Sequence, residues 1–342
     1  MKYQYRNINL ELTNACTFSC SFCPNSLMTR KKEMLNASLI KKTVDYIAAT
    51  KLTPLINYYV MGEPLLYPHL FEIIEYTKSK NIQVKLNTNG TLFNPEVNAR
   101  LLQSNTDIIH ISFYSLTKCL FVARNCRIIG LSFETWKKSI FDLLKKRIAS
   151  TNNHTNVHLL FFKYSYLIKC KPREMNKKVF KNAVKKGIIE LFDALNIPIN
   201  SQFWKFMFGK QIIQRYSTSF KIKEGIYFDF IKFHNWGNIK EKKVHPAWFG
   251  SCDAFRDTFA ILSNGDVSLC CADYNGELIV GNLYKECLRD ILASRKVHKI
   301  IQCFKNNKLP FEKCRICRGG PNIFHWMKNQ VASIINYNWN KP

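Results

Sequence analysis

The chain has 342 residues, enough for one large domain or two smaller ones with separate cores. A composition of 46% hydrophobic and 13% aromatic residues excludes a disordered chain. No apolar run reaches membrane-spanning length, and the first six residues lead into no signal-peptide core, so we expect a cytoplasmic protein without membrane contact. Thirteen cysteines in that compartment favour metal binding over disulfides.

The formal net charge of +27 suits either a polyanionic partner or a lysine-rich surface. The lysines are dispersed from Lys31 to Lys341, and no RNA-binding motif accompanies them. Dispersed lysines usually form a solvated surface, so we do not expect a nucleic-acid partner. A preference for an acidic or phosphorylated small substrate is an alternative explanation of the charge, with the same weight as nucleic-acid binding.

Three thiols follow the first predicted strand, whose apolar residues alternate over positions 8–12. Cys16, Cys20 and Cys23 have the spacing C-x3-C-x2-C. Three thiolates suit a [4Fe–4S] cluster with one iron left open for chemistry. A structural zinc site normally takes four ligands, and no fourth Cys or His follows these three thiols at the spacing of a zinc finger. Spacing alone therefore favours an open cluster, with zinc or unrelated thiols as alternatives.

Apolar periodicity predicts strands that alternate with helices, and polar motifs follow the strands. Such alternation implies a parallel sheet with ligands at the carboxyl ends of its strands, here an α/β partial (β/α)6 TIM-like barrel. Residues 200–216 give no clear prediction. The predicted strands cover 8–12, 54–60, 82–86, 107–115, 156–163 and 226–233, and the predicted helices 36–50, 70–79, 134–149 and 174–195.

A second group of cysteines follows a change of composition near residue 240. Residues 259–270 predict a β-hairpin with Asn264-Gly-Asp266 at its turn. Four of these thiols form a candidate metal site, for which zinc and an iron–sulfur cluster are equally suitable by chemistry. They are Cys252, Cys270, Cys314 and Cys317.

The first thiol motif, with the aromatic Phe22 before its last cysteine, resembles that of the radical S-adenosylmethionine (SAM) superfamily. Gly62-Glu63-Pro64 resembles the family's GGEP motif, with Met61 in place of the first glycine. The resemblance implies that SAM binds the open iron and that its reductive cleavage gives a 5′-deoxyadenosyl radical. It also implies which residues approach SAM, namely Phe22, Gly62, Glu63, Pro64, Asn87, Thr88, Asn89, Ser112 and Arg124, with Arg127 as an alternative to Arg124.

The second group, C…G-x4-C…CxxC, resembles the SPASM/twitch auxiliary domain. The spacing from Gly265 then selects Cys270 over Cys271 as a ligand. Because no cysteine follows Cys317, the resemblance implies one auxiliary [4Fe–4S] cluster, closed by four thiolates and suited to electron transfer. Cys271 is an alternative ligand or a hydrogen-atom donor.

We therefore expect a radical SAM barrel over residues 1–240, an auxiliary-cluster domain of hairpin and helix over 241–325, and a tail over 326–342. The sequence does not identify the catalytic residues. The candidates are Cys271, His234 and Trp236, the last two in a His-Asn-Trp-Gly segment that follows the last barrel strand. Trp236 could equally pack between the domains.

The resemblance implies a radical SAM oxidoreductase-type enzyme that needs an external electron donor such as flavodoxin or ferredoxin. We expect it to oxidise or epimerise a sugar, aminocyclitol or other small alcohol, since no leader-binding domain precedes the first strand. The first alternative is a peptide (RiPP) maturase that forms a crosslink or an epimer. A zinc-stapled, basic nucleic-acid-binding protein is the alternative from another class, and it would be colourless where an iron–sulfur protein is brown.

Overall fold

The computed structural model describes residues 4–151, 153–210, 217–231, 236–238, 241 and 243–339. Its strands form one sheet of ten, in the order β10-β9-β8-β1-β2-β3-β4-β5-β7-β6. In chain order the strands are β1 (Asn7–Leu10), β2 (Leu55–Tyr58), β3 (Gln83–Thr88), β4 (Ile108–Ile111), β5 (Asn156–Phe162), β6 (Ser217–Lys223), β7 (Ile226–Ile231), β8 (Thr258–Ile261), β9 (Asp266–Ser268) and β10 (Ile279–Asn282).

Asparagine side chains begin several of the helices. Asn36 accepts hydrogen bonds from the backbone of Ser38 and Leu39, and Asn94 accepts one from Val97, so each satisfies amides that the first helical turn leaves free. The helices are α1 (Ala37–Thr50), α2 (Leu70–Ser79), α3 (Pro95–Gln103), α4 (Lys118–Val122), α5 (Phe133–Ala149), α6 (Tyr164–Leu167), α7 (Lys177–Ala194), α8 (Ser201–Phe208), α9 (Leu288–Leu292), α10 (Arg295–Lys305), α11 (Glu312–Arg318) and α12 (Ile323–Trp339).

Six neighbouring strands, β1, β2, β3, β4, β5 and β7, pair in parallel and form the barrel. This confirms the predicted partial (β/α)6 barrel, which is an open sheet. Parallel strands place all their carboxyl ends at one edge, so the loops after β1, β2, β3 and β4 meet there. Those loops carry the sequence motifs.

Several elements differ from the sequence prediction. The edge strand β6, antiparallel to β7, and the helix α3 were not predicted. The strand expected over 107–115 is shorter, because β4 ends at Ile111 and the following backbone turns into the candidate site. In the ambiguous segment 200–216, α8 covers the first half, and residues 211–216 lie outside the described part of the chain.

The predicted hairpin of the second cysteine group is present as β8 and β9. Strand β8 also pairs in parallel with β1, Ile8 opposite Phe259, so the auxiliary region continues the barrel sheet. The proposed boundary after residue 325 falls within α12. Gln330 of that helix accepts a hydrogen bond from the backbone of Trp248 and thereby holds α12 on the segment that precedes Cys252.

Aromatic side chains fill the layer between the sheet and its helices. Trp136 of α5 is fully buried and stacks on Phe113 at 5.1 Å between ring centroids. Stacked rings of this kind add about 0.5–1.5 kcal/mol to the free energy of area burial. None of the helices in the described residues is both long and apolar enough for a membrane span.

Candidate active site

The three thiols of the first group line a cavity of about 210 Å³ at the carboxyl edge of the barrel sheet. All the residues that the resemblance assigned to SAM line the same cavity, although they come from four parts of the chain: the loop after β1, the loop after β2, the end of β3 and the segment after β4. Arg127 is exposed and donates to Ser19 instead, so the geometry favours Arg124 as the cation at this site. The residues brought together are Cys16, Cys20, Cys23, Phe22, Gly62, Glu63, Pro64, Asn87, Thr88, Asn89, Ser112 and Arg124.

Gly62 lies directly against the backbone that precedes Cys16. A Cβ atom at this position would lie 2.2 Å from the Thr13 carbonyl oxygen and 2.7 Å from that of Ala15, and its φ of +80° also favours glycine. The next residue, Glu63, donates its backbone N–H to the Ala15 oxygen at 2.8 Å. The two loops are therefore locked together at the cavity.

The Glu63 carboxylate connects this loop to the one after β3. It accepts hydrogen bonds from Thr88 Oγ1 at 2.6 Å and from the Asn89 backbone N–H at 2.7 Å. Burial raises the pKa of Glu63 to about 7, although these hydrogen bonds and Arg124 lower it. Glu63 therefore holds the Asn89 loop in place through these two hydrogen bonds.

The thiol of Cys16 is surrounded by groups that resist its ionisation. Its pKa is raised to about 12, mainly by burial and also by Glu63, Cys20 and Cys23. Asn89 Nδ2 lies 3.6 Å from the sulfur and donates to Thr17 Oγ1 at 3.0 Å. Thiolates packed in this way need a compensating positive charge, which bound iron supplies, so the donor set fits a cluster.

Arg124 places a cation at the cavity wall. Its guanidinium lies 4.0 Å from the centroid of Phe18, and Nη1 donates to the Ser112 carbonyl at 3.0 Å. The buried Nε has no hydrogen-bond partner among the described residues. A buried guanidinium that is only partly satisfied suits an anionic group in the cavity, such as a carboxylate.

An amide ladder, formed by Asn9, Asn57 and Asn87, crosses the barrel interior below this cavity. Asn57 Nδ2 donates to Asn9 Oδ1 at 2.9 Å, Asn87 donates to Asn57, and Asn9 donates to Thr258 on β8 at 2.9 Å. The upper member, Asn87, lines the cavity. The ladder fixes the amide orientations and gives the cavity a polar floor.

The four thiols proposed for the second site, Cys252, Cys270, Cys314 and Cys317, line a smaller cavity of about 50 Å³. They come from the loop before β8, the end of β9 and helix α11. Cys271 is absent from this lining and packs beside Met61 and Leu262. Of these two neighbouring thiols, Cys270 is the one in the cavity lining, in the way that the spacing from Gly265 suggested, although the assignment of ligands stays a prediction.

Two cations that the sequence analysis missed lie at the second cavity. Arg318 contacts Cys252, and its pKa is raised by Cys252 and Cys317 although burial lowers it. Lys313 lines the same cavity and pairs with Asp273 at 3.2 Å. A cluster held by four thiolates carries net negative charge, which these cations would offset.

Trp236 lines both cavities and so lies between the two cysteine groups. Like Cys271, it packs against the small cluster that contains Met61 and Leu262, and its φ of +52° is in the left-handed region. His234, the other candidate from this segment, lies outside the described residues. The sequence analysis also missed Tyr59, which lines the first cavity and whose pKa burial raises. The alternation of β2 places Tyr59 on the same face as Asn57, and this was the available signal.

Comparisons with known proteins agree with this arrangement. The sequence model of the Radical SAM superfamily matches residues 10–164, and that of the SPASM iron–sulfur cluster-binding domain matches residues 252–318. The chain belongs to the radical SAM superfamily and carries a C-terminal SPASM domain. Its cofactors are accordingly SAM and [4Fe–4S] clusters, one at each cysteine group. These matches favour the radical SAM interpretation over a zinc-stapled nucleic-acid binder.

The individual relatives match only part of this chain. The mycofactocin maturase MftC of Mycobacterium ulcerans is 32% identical over 110 residues, which cover 31% of this chain and 28% of that protein. This chain thus aligns with less than a third of the relative's length.

Two crystal structures show the same fold at low identity. BtrN in complex with AdoMet and 2-DOIA aligns with a TM-score of 0.52 and 16% identity, over 90% of this chain and 89% of BtrN. Streptococcus suis SuiB bound to precursor peptide SuiA aligns with a TM-score of 0.51 and 14% identity, over 88% and 67% of the two chains.

Proposed function

We propose that this protein is an oxidoreductase-type radical SAM enzyme that acts on an unactivated carbon of a small hydroxylated substrate, by oxidation or epimerisation. When bound, SAM and the first cluster supply reductive cleavage of SAM and removal of a hydrogen atom from carbon. Cys16, Cys20 and Cys23 would hold that cluster, and Arg124 would bind the SAM carboxylate. Cys252, Cys270, Cys314 and Cys317 would hold the auxiliary cluster.

The observation that carries the proposal is the pair of cysteine-lined cavities with Trp236 in the lining of both. Four thiols at the second cavity would leave the auxiliary cluster no open iron, which suits electron transfer better than substrate binding. Aromatic side chains of the first cavity, including Phe22 and Phe162, would exclude water from the reacting carbon. An external donor such as flavodoxin or ferredoxin would supply the electron.

The lining of the first cavity supports a hydroxylated substrate, because its floor at Asn87 is polar and suits hydroxyl groups. BtrN, which has a similar fold, was crystallised with 2-DOIA. A peptide that inserts one side chain is the second candidate, because one matched relative is a mycofactocin maturase and SuiB was crystallised bound to a precursor peptide.

The test is SAM cleavage by the anaerobically purified protein with a reductant, followed as 5′-deoxyadenosine. Cys16→Ala should abolish cleavage and keep the auxiliary iron, whereas Cys314→Ala should remove about half the iron and leave SAM binding. Cleavage retained in Cys16→Ala would overturn the assignment. Deuterium transfer from labelled polyols or aminocyclitols, compared with labelled peptides, then decides between the two substrate classes.

A further inference from the structure

Two histidines and an aspartate meet inside the barrel, away from both cysteine groups. His110 of β4, His158 of β5 and Asp229 of β7 come from adjacent strands, and His110 is directly opposite His158 in the sheet register. None of the three lines either cysteine-lined cavity. The function proposed above therefore leaves this His–His–Asp group without a role.

The ligand atoms of the His–His–Asp group converge. Taking one atom from each residue, all lie within 4.8 Å of one another. His158 Nδ1 is 2.9 Å from Asp229 Oδ2, and the rings of His110 and His158 have centroids 5.0 Å apart. Small side-chain rotations would bring such atoms to the roughly 2.0–2.2 Å that nitrogen and oxygen ligands keep from a zinc ion.

The surrounding residues orient the carboxylate of Asp229, and they leave the imidazole of His110 without a hydrogen bond in the described part of the chain. Ser219 of β6 donates to Asp229 Oδ1 at 2.5 Å, which leaves Oδ2 directed at the histidines. Second partners of this kind orient metal ligands. In the described part of the chain, His110 has ring and charge contacts but no hydrogen bond. Both histidines are half-buried, so an ion could reach them from solvent.

The donor atoms determine the kind of metal. Lys85 interacts electrostatically with both His110 and Asp229, and its positive charge would weaken the binding of any cation. Two imidazoles and one carboxylate do not suit hard cations such as Mg²⁺ or Ca²⁺, which take several oxygen ligands. Imidazole nitrogens instead prefer borderline transition metals such as Zn²⁺ or Fe²⁺.

We propose that His110, His158 and Asp229 form a binding site for one divalent transition metal ion within the barrel, separate from the two iron–sulfur sites. The ion would clamp β4, β5 and β7 together beside the amide ladder, whose Asn87 is opposite His110 in the sheet register. It would replace the His158–Asp229 hydrogen bond, with the proton moving to the other nitrogen of the ring. Water would complete its coordination, as at open metal sites.

Zinc titration of the anaerobic holoprotein, with both clusters loaded, tests the site. Equilibrium dialysis should give about one Zn²⁺ per chain, with affinity reduced roughly 100-fold in His110→Ala and Asp229→Asn. Lys85→Met should tighten binding roughly tenfold, because it removes a repelling charge. The matched control is His69→Ala, which disrupts an exposed His–Glu pair, His69 with Glu72, that has no second imidazole.

Zinc-edge X-ray absorption of the wild-type holoprotein gives a readout that does not depend on the variants folding. The expected spectrum has a nitrogen and oxygen shell at about 2.0–2.1 Å and no sulfur at about 2.3 Å. Unchanged iron content in each variant shows that the fold is kept. Failure of the wild type to bind zinc, a sulfur shell, or equal affinity in His110→Ala and wild type would each overturn the proposal. All of these readouts are independent of SAM cleavage.

Discussion

Arg30 and Glu11 form a doubly hydrogen-bonded ion pair inside the protein, with Nη1 to Oε1 at 2.9 Å and Nη2 to Oε2 at 3.0 Å. Glu11 also accepts from the backbone of Met61 and Ser263, and Arg30 Nε donates to the Tyr274 carbonyl. One ion pair therefore joins the loop after the first three thiols, the loop after β2 and the region of the second cysteine group.

Removing one partner of this pair should destabilise the fold strongly. The side chain of Glu11 is fully buried, so Arg30→Ala leaves an uncompensated carboxylate, at a cost of about 3–5 kcal/mol. Urea unfolding measures the loss. The control is Lys41→Ala, which breaks the exposed Lys41–Glu72 pair and should cost about 1 kcal/mol or less. Equal losses in the two variants would contradict the joining role of the buried pair.

Gly62→Ala should prevent SAM binding, because the added methyl group would displace the backbone at Thr13 and Ala15. Gly130→Ala is a matched control, since Gly130 has the same φ of +80° but no atom of the described residues within 4 Å of its Cβ position. Both variants suffer the same backbone strain, and only Gly62→Ala suffers the clash. SAM affinity by equilibrium dialysis checks this, and comparable affinities would argue against the close approach.

Cys270→Ala and Cys271→Ala should differ in iron content. Only Cys270 lines the second cavity, so its loss should remove the auxiliary cluster and about half of the iron, while Cys271→Ala keeps both clusters. Iron analysis with Mössbauer spectroscopy gives the result. The reverse pattern would transfer the ligand role to Cys271.

Arg318→Met should make the auxiliary cluster harder to reduce, because a cation next to the thiolates stabilises the more negative, reduced form. Arg315→Met on the same helix is the control, since Arg315 is exposed and donates to the Ala247 carbonyl rather than lining the cavity. A reductive titration followed by electron paramagnetic resonance compares the two potentials. A lower potential in both variants would indicate a general charge effect.

Lys85→Met should stabilise the protein at neutral pH. Burial lowers the pKa of Lys85 from 10.5 to about 8, although Asp229 raises it. Between pH 8 and 10.5 the unfolded chain therefore binds more protons than the folded chain, so wild-type stability rises with pH across that window. Below pH 8 the full cost of burying the charged amine opposes folding. Removing the amine should increase the free energy of unfolding at pH 7 by at most about 3 kcal/mol and should flatten the rise of stability with pH.

Urea unfolding at pH 7 and at pH 9.5 measures both effects of Lys85→Met. The exposed Lys138→Met provides the control and should change stability by about 0.5 kcal/mol or less at either pH. A destabilised Lys85→Met at pH 7 would show that the amine contributes favourable hydrogen bonds that outweigh its burial.

Local sequence patterns were enough to predict the barrel and the two cysteine groups. Alternating apolar residues identify β1 and its neighbours, and the spacing of Cys16, Cys20 and Cys23 is confined to eight residues. The meeting of four loops at one cavity also follows, since parallel strands end at one edge. These inferences use only neighbours in sequence and the geometry of a parallel sheet.

Contacts between distant segments could not be predicted in the same way. Glu11 meets Ser263 across 252 positions, and Arg318 meets Cys252 only after α11 has folded against the loop before β8. The antiparallel edge strand β6 was missed because its apolar alternation is limited to Phe220 and Ile222, which are only partly buried. Such features depend on tertiary packing, which overrides local propensity.

The parallel pairing of β1 with β8 has a consequence for dissection of the chain. A fragment that ends before residue 250 would leave β1 with a row of unpaired amide and carbonyl groups, which invites edge-to-edge association between copies. We expect such a fragment to aggregate rather than to act as a minimal enzyme. The spacing of the two iron–sulfur sites is thus a property of the hydrogen-bonded strand register, and no flexible hinge is needed to set it.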